Sequence, residues 1–185
     1  MQDLEEYTDK ELVRLFREDS NPGYAFNLIV RKYQEKLYWH IRKLIISHDD
    51  TDDVLQVVFI KAFQSLSGFR EDSSLYTWLY RIATNEALTF LKRNKIRKYL
   101  SFGAISTYLE RTLEADAYSD GDEIKIKLQR AIINLPEKQR IVFNMKYFDE
   151  MKYEEMADIL QTSVGALKAS YHHAIKKIER FLKGD

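Results

Sequence analysis

The chain has no cysteine, so neither a disulfide nor a thiolate metal site can support it. Two prolines and six glycines in 185 residues are too few for the many tight turns of an all-β fold. No stretch approaches the roughly 18 consecutive apolar residues of a membrane span. The opening MQDLEEYTDK is acidic and has no apolar centre, unlike a secretory leader. Direct membrane insertion is therefore not expected, and the lack of cysteine fits a reducing, cytoplasmic setting. An excess of charge of either sign is missing too. Twenty-nine Lys and Arg balance 29 Asp and Glu for a formal net charge of zero. That balance argues against a protein that coats nucleic acid over its whole surface, and makes the local charge distribution the informative quantity.

What is present is helical periodicity. Thr8 and Glu11 have capping-box spacing and open a short helix through Leu12, Leu15 and Phe16. SNPGY (20–24) breaks it. Phe26, Ile29, Val30, Tyr33, Leu37, Ile41, Leu44 and Ile45 then follow in steps of three and four, which is one helical stripe. HDDTDD (48–53) reads as a polar break that also supplies acids to the next helix N-terminus. Val54, Leu55, Val58, Phe59, Ala62 and Leu66 form the next stripe. SGFREDSS (67–74) is a loop. Leu75, Leu79, Ile82, Ala83, Ala87 and Leu91 make a long helix that ends basic, with Lys92, Arg93, Lys95, Arg97 and Lys98.

The composition then turns over. Residues 99–123 hold Glu110, Glu114, Asp116, Asp120, Asp122 and Glu123 against Arg111, and DAYSDGDE has no usable period. This reads as a flexible acidic linker, with one helical turn around STYLERTL. It lacks the apolar pattern needed to dock, so the units on either side should move independently. A second helical unit starts near Ile124; Pro136 suits a first helical turn, and Ile141, Val142, Met145 and Tyr147 follow it. The expected fold is all-α: two small helical domains, 1–98 and 124–185, joined by the linker 99–123.

The stretch YEEMADILQTSVGALKASYHHAIKKIERFL (153–182) reads as a short helix, a break and a long basic helix. Met156, Ala157, Ile159 and Leu160 serve the packing of the first. Ser163 can cap the second, whose inner stripe is Leu167, Tyr171, Ala174, Ile175 and Ile178. Gly165, Ala166, Lys168, Ala169, Ser170, His172 and His173 are left pointing outward. Small and polar outward residues let a helix sit deep in a major groove, about 12 Å wide. Lys168, Lys176, Lys177 and Arg180 can reach flanking phosphates. The bland alternative is a helical hairpin with a solvated basic face, and Gln161 stands where a glycine often makes the turn. His172 and His173 diverge by about 100° as helix neighbours, so they do not form a metal pair, and no metal or cofactor is expected. No nucleophile–base pair, paired acids or glycine-rich phosphate loop appears, so no enzymatic activity is expected.

Two segments resemble a known family. DDTDDVLQVVFIKAFQSLSGFREDSSLYTWLYRIATNEALTFLKR (49–93) is similar to region 2, and LPEKQRIVFNMKYFDEMKYEEMADILQTSVGALKASYHHAIKKIERFL (135–182) to region 4, of bacterial RNA polymerase sigma factors. The group resembled is the compact extracytoplasmic-function (ECF) group of the sigma-70 family. The two motifs cover about half the chain, and their order around an acidic linker covers nearly all of it. SSLYTWLYRIATNEAL is the more specific signal, since a helix-turn-helix alone is common.

The resemblance implies a sigma factor that directs promoter recognition and transcription initiation for a stress or envelope-signal regulon. Its implied partners are the polymerase core, through the β′ clamp helices and the β subunit, promoter DNA, and an anti-sigma factor. The first domain would dock on the core through Asp53, Leu55, Gln56 and Phe59. The family usually has Glu after this Gln, whereas Val57 stands here, which removes a charge pair from that site. The −10 element would be opened and read by Phe69, Arg70, Ser73, Tyr76, Tyr80, Arg81 and Asn85, with Lys92 and Arg93 on phosphates. A base must leave the stack before its pairing edge can be read, and Asn85 offers it both a donor and an acceptor. Trp78 reads mainly as core. The −35 element would be read by Lys168, Ala169, Ser170, His172, His173 and Lys176. Many relatives carry Arg and Ser where this chain has Ser170 and Ala169, so its −35 preference should be its own. Two other readings compete: a one-component helix-turn-helix regulator with a helical sensing domain, and a helical adaptor that does not bind DNA.

Overall fold

A computed structural model of the chain describes residues 7–18, 21–97, 109, 111 and 123–184. These residues form eight α-helices and one 3₁₀ turn, and no strand among them. The first unit holds α1 (Asp9–Glu18), α2 (Pro22–Ile45), α3 (His48–Ser65), the turn Leu66–Gly68, and α4 (Leu75–Arg97). The second holds α5 (Glu123–Ile133), α6 (Glu137–Tyr147), α7 (Tyr153–Leu160) and α8 (Val164–Lys183).

Local chemistry sets the helix starts. Thr8 and Glu11 form the reciprocal capping box: the Thr8 amide donates to the Glu11 carboxylate at 2.7 Å and the Glu11 amide to Thr8 Oγ1 at 3.3 Å. Pro22 is the first residue of α2, so the break at SNPGY is shorter than expected. HDDTDD is not a break at all. Ser47 caps α3 by accepting from the Asp50 amide at 3.3 Å, and Asp49 and Asp50 lie inside the first turn. Carboxylates are favoured there by the helix dipole, which is why a run of acids can begin a helix while looking like a gap. The actual corner is Ile46, in the left-handed region at φ 72°.

The predicted stripes form the core. Leu12, Val13, Ile29, Leu37, Ile41, Leu44, Val58, Leu75, Leu79 and Ala83 are all buried. Each aliphatic side chain of this kind contributes about 1.5–3 kcal/mol by leaving water. Ala62, Ala83 and Ala87 are buried where α2, α3 and α4 pack on one another. Phe63 sets its ring edge-on to both Phe16 and Phe26, at 5.4 and 5.1 Å.

The two units are packed together, which corrects the expectation of independent motion. α2 meets α6 and α4 meets α7. Met145, Met156, Ile159 and Leu167 belong to the same apolar cluster as the first unit's core. A polar set crosses the seam. Asp149 receives His40 Nδ1 at 2.7 Å and Lys43 Nζ at 2.5 Å. The Asn144 amide donates to the Lys43 carbonyl at 3.1 Å, and Arg81 Nη2 to the Asp158 carbonyl at 2.7 Å. Thr84 gives its hydroxyl hydrogen to the Tyr80 carbonyl, and its oxygen lies 2.9 Å from Nε2 of the buried His40 ring. Burial alone would push the Asp149 carboxyl up. Its bond to His40 and the charges of His40 and Lys43 outweigh that and hold it below the usual carboxylate range. Leu109 also docks: it is fully buried against Ile46, Leu91 and Ile133. Apart from Leu109 and Arg111, the acidic stretch before Glu123 lies outside the described residues, most of STYLERTL included.

Candidate nucleic-acid interface

The helix-turn-helix is built as its sequence suggests. Ser163 Oγ accepts from the Ala166 amide at 3.3 Å and starts α8. Gln161 takes the turn in the left-handed conformation, φ 50° and ψ 49°, and its side-chain amide donates to the Asp158 carbonyl at 2.7 Å. That bond offsets part of the strain a glycine would avoid. Leu167, Ala174 and Ile178 face inward, with Tyr171 and Ile175 half-buried beside them. Lys168, Ala169, His172, His173 and Lys176 are exposed and Ser170 is half-buried. A Cβ placed on Gly165 would meet nothing within 4 Å, so the front of the helix is open. The Lys168 ammonium lies 5.7 Å over the Tyr153 ring.

The second surface is a cavity of about 190 Å³ at the start of α4, lined by Phe69, Arg70, Asp72, Ser73, Trp78 and Arg81 among others. Phe69 is buried and its ring lies 5.1 Å from that of Trp78, tilted by 39°. Trp78 therefore does more than fill core: half-buried, it forms a wall. Ser74 caps α4 by accepting from the Thr77 amide at 3.1 Å. The structure thus brings Phe69, Arg70, Ser73 and Arg81 to one cavity.

The other residues expected at the −10 element lie differently. Asn85 is exposed further along α4, as are Lys92 and Arg93. Nothing is described for the side chains of Lys95 and Arg97, or for Lys98. Tyr76 is half-buried and Tyr80 is only 3% exposed, their rings 4.3 Å apart. Burial pushes both phenols up, so they stay neutral. Tyr80 packs on His40, at 4.8 Å between rings. Both tyrosines line a cleft of about 540 Å³ between the units, with Trp39, Lys43, Phe148 and Asp149. Arg81, at the Phe69 cavity, is bonded to the Asp158 carbonyl of α7.

A third surface lies on α3. Asp53 and Gln56 are exposed, and Leu55 and Phe59 are half-buried. Gln56 and Phe59 flank an apolar groove of about 400 Å³ with Phe26, Val30, Ile60 and Phe63. Ile60 is 51% exposed and Phe63 is 42% exposed. Neither is among the residues expected to dock; both stand off the buried Val54–Val58–Ala62 stripe, and that is the sequence signal for them. Among the described residues no group of three or more His, Cys, Asp or Glu is placed to hold a metal ion, and no helix is long and apolar enough to cross a membrane.

The pattern of Sigma-70 region 2 matches residues 29–97, and that of Sigma-70, region 4 matches residues 125–178. The RNA polymerase sigma-H factor of Pseudomonas aeruginosa is 31% identical over 97% of this chain and 96% of its own length. The ECF RNA polymerase sigma-E factor of Escherichia coli K12 is 33% identical over 95% of this chain and 94% of its own. In fold, the chain is similar to CnrH, solved in complex with the cytosolic domain of CnrY. The TM-score is 0.68 at 24% identity, over 96% of this chain and 98% of that one. It is also similar to the sigma factor RpoE of Bartonella quintana, solved with the anti-sigma factor NepR. There the TM-score is 0.65 at 19% identity, over 86% of this chain and 98% of that one. Full-length relatives of one kind leave the sensing-domain and adaptor readings without support, and the chain belongs to the sigma-70 family as an RNA polymerase sigma factor of the ECF group.

Proposed function

We propose that the chain works in the cytoplasm, without chemistry of its own, by docking α3 on polymerase core, reading a −35 element with α8 and trapping a flipped −10 base beside Phe69. The observation that carries the assignment is the aromatic cavity opening between the 69–74 loop and α4. An aromatic wall with Arg70, Ser73 and Arg81 around it suits a planar base with a polar edge. The open, small-residue front of α8 supports the −35 assignment, and Asp53 and Gln56 beside the apolar groove support docking on core. The functional limits are 1–98 for core binding and −10 opening, 99–123 for the connection and 124–185 for −35 reading. The relative from B. quintana is solved with an anti-sigma factor, and we extend such a partner to this chain.

Size adds a condition. Elements centred near −10 and −35 lie about 25 base pairs apart, about 85 Å of duplex at roughly 3.4 Å per pair. A compact chain of 185 residues has a radius of gyration of about 16 Å and a span of about 40 Å. The packed arrangement cannot touch both elements, so the seam opens before a promoter is read. Run-off transcription with purified core polymerase tests the assignment: transcripts from defined starts require the chain, and Phe69→Ala abolishes them on duplex templates. Equal transcription with Phe69→Ala would remove the cavity from the mechanism.

A further inference from the structure

Beyond the buried Phe69 ring, the middle of the loop that carries the aromatic cavity, residues 70–72, is exposed. Between the 3₁₀ turn and α4 it has no regular structure, and Glu71 within it lies in the left-handed region at φ 61°. A non-glycine residue stays there only when its surroundings fix it. Arg70 and Asp72 pair with each other at 3.1 Å, but both are largely exposed and belong to the loop itself, so this bond ties it to nothing.

The tie comes from α1. Arg17 sends Nη2 to the Phe69 carbonyl and Nη1 to the Glu71 carboxylate at 2.7 Å. One planar guanidinium thus grips two points of the loop, two residues apart. A fork of this kind fixes orientation in a way a point charge does not. Its base is firm, because Leu12, Val13 and Phe16 of α1 are buried and Phe16 packs on Phe26 and Phe63. The Phe69 carbonyl belongs to the residue whose ring faces Trp78 across the cavity. Holding that carbonyl fixes the backbone from which the ring projects, and the ring itself is packed against Trp78.

We propose that Arg17 is a positioning residue for base capture. It touches no DNA, and it keeps Phe69 and the loop in the shape that receives a flipped base, so that the base meets a formed cavity. This rests on the reading of the 69–74 loop as the −10 pocket. As an ion pair, Arg17–Glu71 is about one-third exposed on both sides. Such pairs add little to stability, so the proposed role has to appear in promoter opening with the fold unchanged.

The test uses full-length chain with polymerase core on a promoter mapped by run-off transcription, with permanganate reactivity of unpaired thymines as the measure of opening. Arg17→Ala should slow opening about three- to tenfold, while core binding, duplex −35 binding and the melting temperature stay as in wild type. Arg17→Lys keeps the charge and loses the fork, and should be about as slow. Full recovery with Arg17→Lys would reduce Arg17 to a surface charge and overturn the proposal. Phe69→Ala separates the two levels. If Phe69→Ala opens the promoter normally, the pocket reading itself fails. If Phe69→Ala is defective and Arg17→Ala opens as fast as wild type, the pocket stands and the positioning role falls. Should Arg17→Ala fail to fold, Glu71→Ala removes one arm of the fork from the other side, and it must still slow opening a few-fold.

Discussion

The two surfaces proposed to read the −35 and −10 elements stand at different stages of readiness. On α8 the candidate readers are already on the outside: among the described residues Lys168, Ala169, His172, His173 and Lys176 are exposed. On α4 the candidate readers are divided. Asn85 is exposed and Phe69, Arg70 and Ser73 line an open cavity, but Tyr80 is buried in the seam and Arg81 is bonded to the backbone of α7. The two proposed reading surfaces thus differ because one half of the chain sits on the other. A surface that can bind as it stands needs only to meet DNA, whereas a surface partly used for internal packing responds to whatever opens that packing.

The largest expected effect is on the packing itself. Asp149→Asn leaves His40 and Lys43 facing an amide in the seam. Losing one partner of a buried charged set costs about 3–5 kcal/mol. Lys43 is 20% exposed and can be rehydrated, so about 2–3 kcal/mol is expected here. Thermal unfolding should show the loss and small-angle scattering a larger particle; an unchanged radius would mean the seam does not depend on Asp149. Acid should act in the same direction. A carboxyl held below its usual range stabilises the packed form above its ordinary pKa of about 4, and that contribution is lost as pH falls through the lowered value. Wild type should therefore open on acidification below about pH 4, and Asp149→Asn should lack that step.

Next is Asn85→Ala, on the exposed part of α4. Folding should change by no more than about 0.5 kcal/mol. Promoter opening should fall about tenfold, since hydrogen bonds to a base edge are worth roughly 1–3 kcal/mol. On a template already melted over the −10 element the defect should shrink, because the unstacking cost has been met. Normal opening on duplex DNA would leave the Phe69 cavity to act without Asn85.

Lys168→Ala sharpens the other half. If it meets one phosphate, the slope of log affinity against log salt should flatten by about one unit, with base preference unchanged. A changed preference at constant slope would move it to a base edge. The smallest effect belongs to Gln161→Gly. A left-handed non-glycine residue costs about 1 kcal/mol, and the lost bond to the Asp158 carbonyl returns part of it. Net stabilisation of about 0.5 kcal/mol is expected in chemical denaturation, without change in −35 affinity. A destabilised variant would show that the side-chain bond outweighs the strain.

What the sequence made legible follows from what periodicity reports. The Leu167–Ala174–Ile178 stripe, the Thr8–Glu11 box and the Ser163 cap are local patterns, and each stands where its spacing places it. The seam is not local. Asp149, His40 and Lys43 carry no mutual signal across more than a hundred residues, and Leu109 is a single apolar residue in an acidic run, with no period to mark it as an anchor. Ile60 and Phe63 were hidden for the opposite reason. They are apolar on a helix that already had a stripe, and only the structure separates the buried side of α3 from the exposed one. The resemblance pointed to the Phe69 loop, but not to Arg17, which holds it from a different helix.

If the packed chain opens to occupy a promoter, the distance between its two units must grow. Because the chain has no cysteine, Lys10→Cys on α1 and Glu179→Cys on α8 give two unique labelling positions, both exposed. One short separation is expected in the free chain, within the span of about 40 Å of a compact particle, and an increase of several tens of ångströms in the complex with core polymerase and promoter DNA. The same short distance in both states, with the promoter open, would contradict it.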